Sequence, residues 1–336
     1  PLKHRSGPRR NHRWWIRVEG ANDLATVPVG EFVTWSSTAA FPLIPDAVSA
    51  DVFRQMKRAP RFDSPRMNWE FRPLQGDLNA TSERRVLEFD VDEARGRIPV
   101  VTGASFNVWR PDASAPKAYG KPDVLRPYLA DKLARSARLA RSAYNGLKYP
   151  DGELPLDRAR IAFRDMTRAT DSRTVIPCLM PAGTAAMEKA PVVVQRQGGA
   201  AETAALLGIM SSIPFDWYMR RWVEMKLSFE LLNPSPVPDV DVESQLGKRL
   251  IEVSARLAAV DDRFGPWASE VGVTAGSVAT AEKDDLIAEL DAVVALLYGL
   301  TEDQVEHIFA TFHRGWNYES RLNVVLNHYR EWKGKS

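Results

Sequence analysis

The sequence predicts an α+β chain: a mixed β-sheet region with helices packed on it, followed by an all-α C-terminal segment. Three observations carry that expectation. Between about residues 27 and 197, short runs of β-branched and aromatic residues alternate with Gly and Pro, the composition of strands and turns. Beyond "NPSPVPDVD" (233–241) the apolar residues recur only at helical spacing. The charge changes sign at the same place: residues 1–238 hold an excess of about nine positive charges and 239–306 an excess of about ten negative ones, under a net charge of +2. A chain of 336 residues is long enough for two or three modest domains. The expected division is a basic arm or linker at 1–26, an α/β unit at 27–238 and a helical unit at 239–336.

The elements follow in order. "PLKHRSGPRRNHRWWIR" (1–17) carries six Lys/Arg and no acid, which suits an extended arm laid along phosphates or a linker from an upstream domain. The start on Pro1 rather than Met favours the linker, as the cut end of something longer. "VGEFVTWS" (29–36) and "RIPVVTGASFNVWRP" (97–111) read as strands, with Gly103 breaking the second into a hairpin or bulge. "DVLRPYLADKLARSARLARSAYNGL" (123–147) reads as one helix. On it Leu125, Leu129, Leu133, Leu139 and Leu147 are the apolar positions, while Lys132, Arg135, Arg138 and Arg141 recur every three residues. Steps of three drift by about 60° on a 3.6-residue period, so this stripe winds over half the circumference, either as a solvated face or as a flank turned to phosphates.

Strands return at 158–167, 173–181 and 190–197, and helices at 201–212 and 214–232. After the proline-rich break the chain is helical. "EKDDLIAELDAVVALLYGL" places Leu286, Leu290, Val293, Val294 and Leu297 on one face, and Thr301 with Gln304 forms a capping box ahead of the next helix.

Several classes of chemistry are excluded. Cys178 is the single cysteine, so the chain builds neither an internal disulfide nor a cysteine zinc site, and its apolar setting "TVIPCLMPAG" predicts a buried, inert thiol. No apolar run approaches the roughly 20 residues that span a bilayer, and no secretory pattern is present, so no membrane partner and a cytoplasmic setting are expected. Phosphate-loop and dinucleotide-binding glycine motifs are absent. His4, His12, His307, His313 and His328 have no metal-pair spacing, so no metal is expected. Asp216, Glu224 and Lys226 hint at a D…E-x-K nuclease site, yet all three fall within what reads as one helix. No catalytic residue is expected.

What remains is "FRDMTRATDSRTVIPCLMPAG" (163–183), three arginines and two aspartates set directly against an apolar strand. Arg160, Arg164, Asp165, Arg168, Thr170, Asp171, Arg173, Thr174, Pro181 and Gly183 together resemble a pattern in the C-terminal half of N6-adenine-specific DNA methyltransferases, those of type IIG restriction–modification and of the BREX and DISARM phage-defence systems. "PVVTGASFNVWRPD" (99–112), the stretch 206–238 and "LDAVVALLYGLTEDQVEHIFATF" are similar to further segments of that family in the same order, so the resemblance covers about 95–315. Ser211-Ser212 departs from the usual Asn-Ser. "NPSP" at 233–236 departs from the Asn-Pro-Pro-aromatic tetrapeptide of amino-group methyltransferases, with Ser235 and Pro236 in place of the second proline and the ring, and reads as linker.

The resemblance implies a DNA-binding target-recognition (specificity) region that grips double-stranded DNA. A methyltransferase catalytic domain, in cis or in trans, would bind S-adenosylmethionine; this chain would bind no cofactor. Arg164, Asp165, Arg168, Asp171 and Arg173 are then expected to be structural, locking adjacent strands to one another through charge-assisted hydrogen bonds. A motif shared by readers of different sequences is not itself the reader. Base readout falls to less stereotyped loops carrying Arg110, Lys117, Lys121, Arg196 and Gln197, and phosphate contact to Lys132, Arg135, Arg138 and Arg141. Other readings are a free-standing specificity subunit and an interaction scaffold of a defence complex that has lost its DNA surface.

Overall fold

The computed structural model describes residues 2–6, 12–16, 42–66, 69–89, 91, 94–313 and 315–335. The strand expected at 29–36 and much of the basic arm lie outside them. At the N-terminus β1 (Leu2–Ser6) and β2 (His12–Ile16) pair antiparallel, with Leu2 opposite Ile16, so this part of the expected arm is a hairpin.

The chain is α+β, as expected. Its main sheet joins β3 (Glu70–Leu74), β6 (Arg160–Phe163), β7 (Pro177–Met180) and β9 (Val192–Gln197) in the order β3-β9-β6-β7, every pair antiparallel. All eight residues of β6 and β7 are buried, because both faces of the sheet are covered. Alternation on a pleated strand sends neighbours to opposite faces. Ile161, Phe163, Leu179 and Val193 join the large helical core, while Ala162, Cys178 and Val192 join a second layer with Val101, Phe106 and Ala186. That layer belongs to a small sheet, β5-β4-β8, of β4 (Ile98–Val101), β5 (Ala118–Gly120) and β8 (Ala185–Ala186), in which β4 and β8 run parallel.

The helices are α1 (Ala47–Lys57), α2 (Pro122–Ser136), α3 (Ala200–Ser211), α4 (Ile213–Arg220), α5 (Phe229–Leu232), α6 (Gln245–Ala258), α7 (Gly265–Val271), α8 (Thr280–Leu297), α9 (Glu302–Phe312) and α10 (Glu319–Lys333). α3 is buried continuously from Thr203 to Ser211, as a helix apolar on every side must be. It lies between the main sheet on one side and α6, α7 and α8 on the other. One hydrophobic core therefore runs from α1 to α10. Val237 and Val240, within the proline-rich stretch, are buried in it, and Tyr298 Oη donates to Pro236 O at 2.7 Å.

Close approach of α3 to α6 depends on Gly208: a Cβ there would stand 2.1 Å from Ser254 Oγ and 2.8 Å from Leu250 Cδ1. Gly208→Ala is expected to lower stability by about 1–3 kcal/mol, since overpacking outweighs the better helix propensity of alanine. The readout is the urea midpoint at unchanged m-value; an unmoved midpoint would mean that the two helices separate freely.

Three elements differ from expectation. The helix expected over 123–147 stops at Ser136, and 137–146 turn back on it. Asn145 Nδ2 donates to Ala137 O at 3.1 Å and the Ser136 and Ser142 hydroxyls lie 2.6 Å apart; Leu139, 63% exposed, finds no core to enter. The helix expected over 214–232 breaks after Arg220, because residues 221–228 leave it to bridge Lys226 against Met166 and to donate Leu227 N to Asp165 O at 2.8 Å. Of the strand pair expected over 97–111, only β4 forms. Gly103 begins a 3-10 turn, where a Cβ would meet Lys189 O at 2.6 Å, and Asn107 and Arg110 close a tight bridge around Trp109 at φ +57°.

Candidate nucleic-acid interface

The Arg/Asp segment, expected to lock adjacent strands, connects β6 to β7, and its arginines bond groups outside that strand pair. Arg164 and Arg173 each reach a different element. Arg164 donates Nε (3.1 Å) and Nη2 to Phe106 O. Arg173 crosses to the helices, giving Nε to Asp216 Oδ2 at 2.6 Å and Nη2 to Ser211 O at 2.6 Å. Asp216, wholly buried in α4, also accepts from Thr174 N at 3.1 Å. From the same helix Arg220 donates to Ala169 O (2.7 Å) and Ser172 O (3.2 Å) and lies over the Phe312 ring. Among the described residues Asp171 accepts only from its own turn, Arg168 N at 2.9 Å, and the Arg168 side chain is exposed. Asp165 is 1% exposed, with Lys189 Nζ and Lys226 Nζ each 3.6 Å away.

A charge is best satisfied by whatever opposite group the fold brings beside it, and here the long connection between two antiparallel strands sends Arg164 and Arg173 to groups outside itself. The arrangement ties the turn to α3 and α4. Asp216 was open to detection, since it falls in the stretch 206–238 that carries part of the resemblance. Asp77 had no such signal. It receives Arg160 Nη1 at 2.8 Å together with Nη2, and Ala186 N at 2.8 Å, while Arg160 Nη2 reaches Thr184 O at 3.1 Å. This clamp joins β6 of the main sheet to β8 of the small one.

The four-residue cationic stripe does not survive in three dimensions. Lys132 is a brace, donating to Asp77 O and Glu83 Oε1 at 2.7 Å each. Burial alone would raise the Glu83 carboxyl; hydrogen bonds from Lys132, Tyr128 and Asn79 N outweigh it and hold that group below its ordinary value. Arg135 pairs with Asp131 one turn earlier at 3.1 Å, and Arg138 and Arg141 stand in the turns beyond the helix. Lys121 pairs with Glu88 at 3.2 Å. Arg110, Lys117, Arg138 and Arg141 are exposed and have no ion-pair partner among the described residues.

Two of the expected site residues, one assigned to bases and one to phosphates, meet in one concavity. Glu70 pairs in register with Gln197 and Phe71 with Gln195, so Arg196 is the extra residue of a bulge, which re-aims its side chain. Its Nε reaches Glu70 Oε1 at 3.1 Å and its Nη1 donates to Ala143 O at 2.7 Å. Arg72 shares the same carboxylate oxygen at 3.2 Å. Together with Arg141, Phe229 and Asn233 these residues line a cavity of about 460 Å³. Gln197, exposed at the end of β9, is beside it in sequence; Arg110, Lys117 and Lys121 do not line it.

The remaining reactive groups are engaged in packing. Burial pushes the Cys178 thiol up to about 12. His307 Nε2 lies 2.8 Å from Ser49 Oγ, linking α9 to α1, and His313 Nε2 lies 3.1 Å from Thr170 O. Among the described residues no cluster of three His, Cys, Asp or Glu could hold a metal, and no helix is long and apolar enough to cross a membrane. No protein-family model and no curated protein matches the chain.

Proposed function

We propose that the chain is the double-stranded DNA recognition module of a site-specific adenine methyltransferase of a restriction–modification or phage-defence system, and that it does no chemistry itself. The observation that carries this reading is the gathering of Arg72, Arg141 and Arg196 around one open concavity, with Arg110, Lys117 and Arg138 left exposed beyond it. The internal engagement of Arg164 and Arg173 supports it as well, since a motif common to the similar proteins then serves the scaffold and leaves reading to less stereotyped positions. Methyl transfer, S-adenosylmethionine and the target adenine belong in this reading to a catalytic domain in cis or in trans, in the cytoplasm.

Exposed guanidinium and ammonium groups bind phosphates largely by releasing condensed counterions, so affinity must fall steeply with salt. Fluorescence anisotropy on a labelled duplex is expected to give a linear fall of log K with log salt. Arg138→Ala should weaken all duplexes alike and reduce that slope by about 1. Binding that is undetectable at low ionic strength, or insensitive to salt, sinks the reading in favour of a protein-interaction scaffold.

A further inference from the structure

We propose that the cleft between the β3–β9 edge, the turns after α2 and the short helix α5 is a binding site for a single nucleotide. Its chemistry is an anionic phosphate next to an unstacked, hydrogen-bonding base.

Charge is the first argument. Three guanidiniums face one carboxylate, and a single oxygen of Glu70 holds both Arg72 and Arg196. That sharing fixes two planar forks in place while leaving Arg141 uncompensated among the described residues. Arg196 is engaged through Nε and Nη1, which leaves Nη2 for a ligand oxygen. Preset forks of this kind suit the oxygens of a phosphate.

The rest of the lining has a different character. Phe229 is half-buried, held edge-on to Phe163 at 6.4 Å, and is continued by Pro73 and Ala140. Asn233 Oδ1 is buried there without a hydrogen-bond partner among the described residues. A buried acceptor left unpaired is costly, so the site asks for a donor. A nucleobase offers an aromatic face to Phe229 and a ring N–H or exocyclic amine to Asn233. An inorganic anion would leave that wall unused, and an apolar ligand would strand the arginines. The volume of about 460 Å³ is that of a small-ligand site.

The nucleotide has two sources, a free nucleoside monophosphate or an unpaired nucleotide of a DNA strand; the second rests on the DNA-recognition reading and the first does not. Calorimetric titration of the full chain separates them. The ligands are dAMP, inorganic phosphate, deoxyadenosine, a fully paired duplex and the same duplex with one bulged adenine. A free-nucleotide site binds dAMP at least tenfold more tightly than phosphate or deoxyadenosine. A strand site binds the bulged duplex at least tenfold more tightly than the paired one. In either case Arg141→Ala, a change at an exposed turn, and Phe229→Leu each remove the preference.

If dAMP binds no better than phosphate and the bulge confers nothing, the cleft is not a nucleotide site, even where the paired duplex binds with a steep salt slope and the DNA reading stands. The cleft is equally ruled out if the preference exists but either variant retains it. Binding of dAMP without any affinity for duplex keeps the cleft and overturns the DNA reading.

Discussion

Asp216→Ala is expected to lower the stability of the chain by about 3–5 kcal/mol, enough to unfold a marginal protein. The side chain is wholly buried and collects Arg173 Nε, Thr174 N and, at 3.9 Å, Arg220 Nε. Truncation leaves two largely buried guanidiniums without their main counter-charge, with only the weaker pull of Asp171 on Arg220 remaining. Arg220 is only 5% exposed at its side chain. The loss is mostly that uncompensated charge rather than the worth of the pair, so the two effects separate in a mutant cycle. Arg173→Met with Asp216→Leu should recover part of the stability that Asp216→Ala alone removes, because apolar groups of similar volume tolerate the site. Urea midpoints measure both. A loss below about 1 kcal/mol for Asp216→Ala, the worth of an exposed pair, would show that the turn after β6 is solvated and not tied to α4.

Arg160→Met is expected to cost a similar amount, about 3–5 kcal/mol, by stranding Asp77. Both partners are 9% exposed at their side chains, and the guanidinium does three things at once: it pairs with both oxygens of Asp77 and donates to Thr184 O. A lysine brings the same charge but no planar fork, so Arg160→Lys should recover little. The same Asp77 holds Ala186 N, and its carbonyl receives Lys132; loss of the clamp loosens the small sheet from the main one. The cleft with Arg196 lies at the β3–β9 pairing, and neither Arg160 nor Asp77 lines it. Arg160→Met should therefore reduce thermal stability more than it reduces nucleic-acid affinity at a temperature where the variant is folded. Equal stability of Arg160→Met and the parent chain would show the clamp to be dispensable.

Strand and helix identities were legible wherever a segment's own periodicity decided them. β6, β7, β9 and α3 lie where the apolar runs placed them, and Thr301 caps α9 through the Gln304 box as its spacing required. Legibility failed where a segment's ending is set by something distant. Nothing between Arg135 and Leu147 forbids a continued helix; it stops because the chain turns back beside it. Likewise the helix at 213 ends at Arg220 because residues 221–228 pair with the turn holding Asp165.

The candidate site divides along the same line. Arg196 was named as a base contact and Arg141 as a phosphate contact, but their meeting beside Arg72, Phe229 and Asn233 could not be read from positions so far apart in the chain. By itself the sequence determined the α+β class, the order of elements and the residue types available for binding, because burial periodicity and turn chemistry act over a few neighbouring residues. Only the tertiary structure decided which charge answers which. Arg173 finds Asp216, 43 positions on, and Arg160 finds Asp77, 83 positions back. An ion pair depends on distance in space, and a linear order of residues carries no record of that distance.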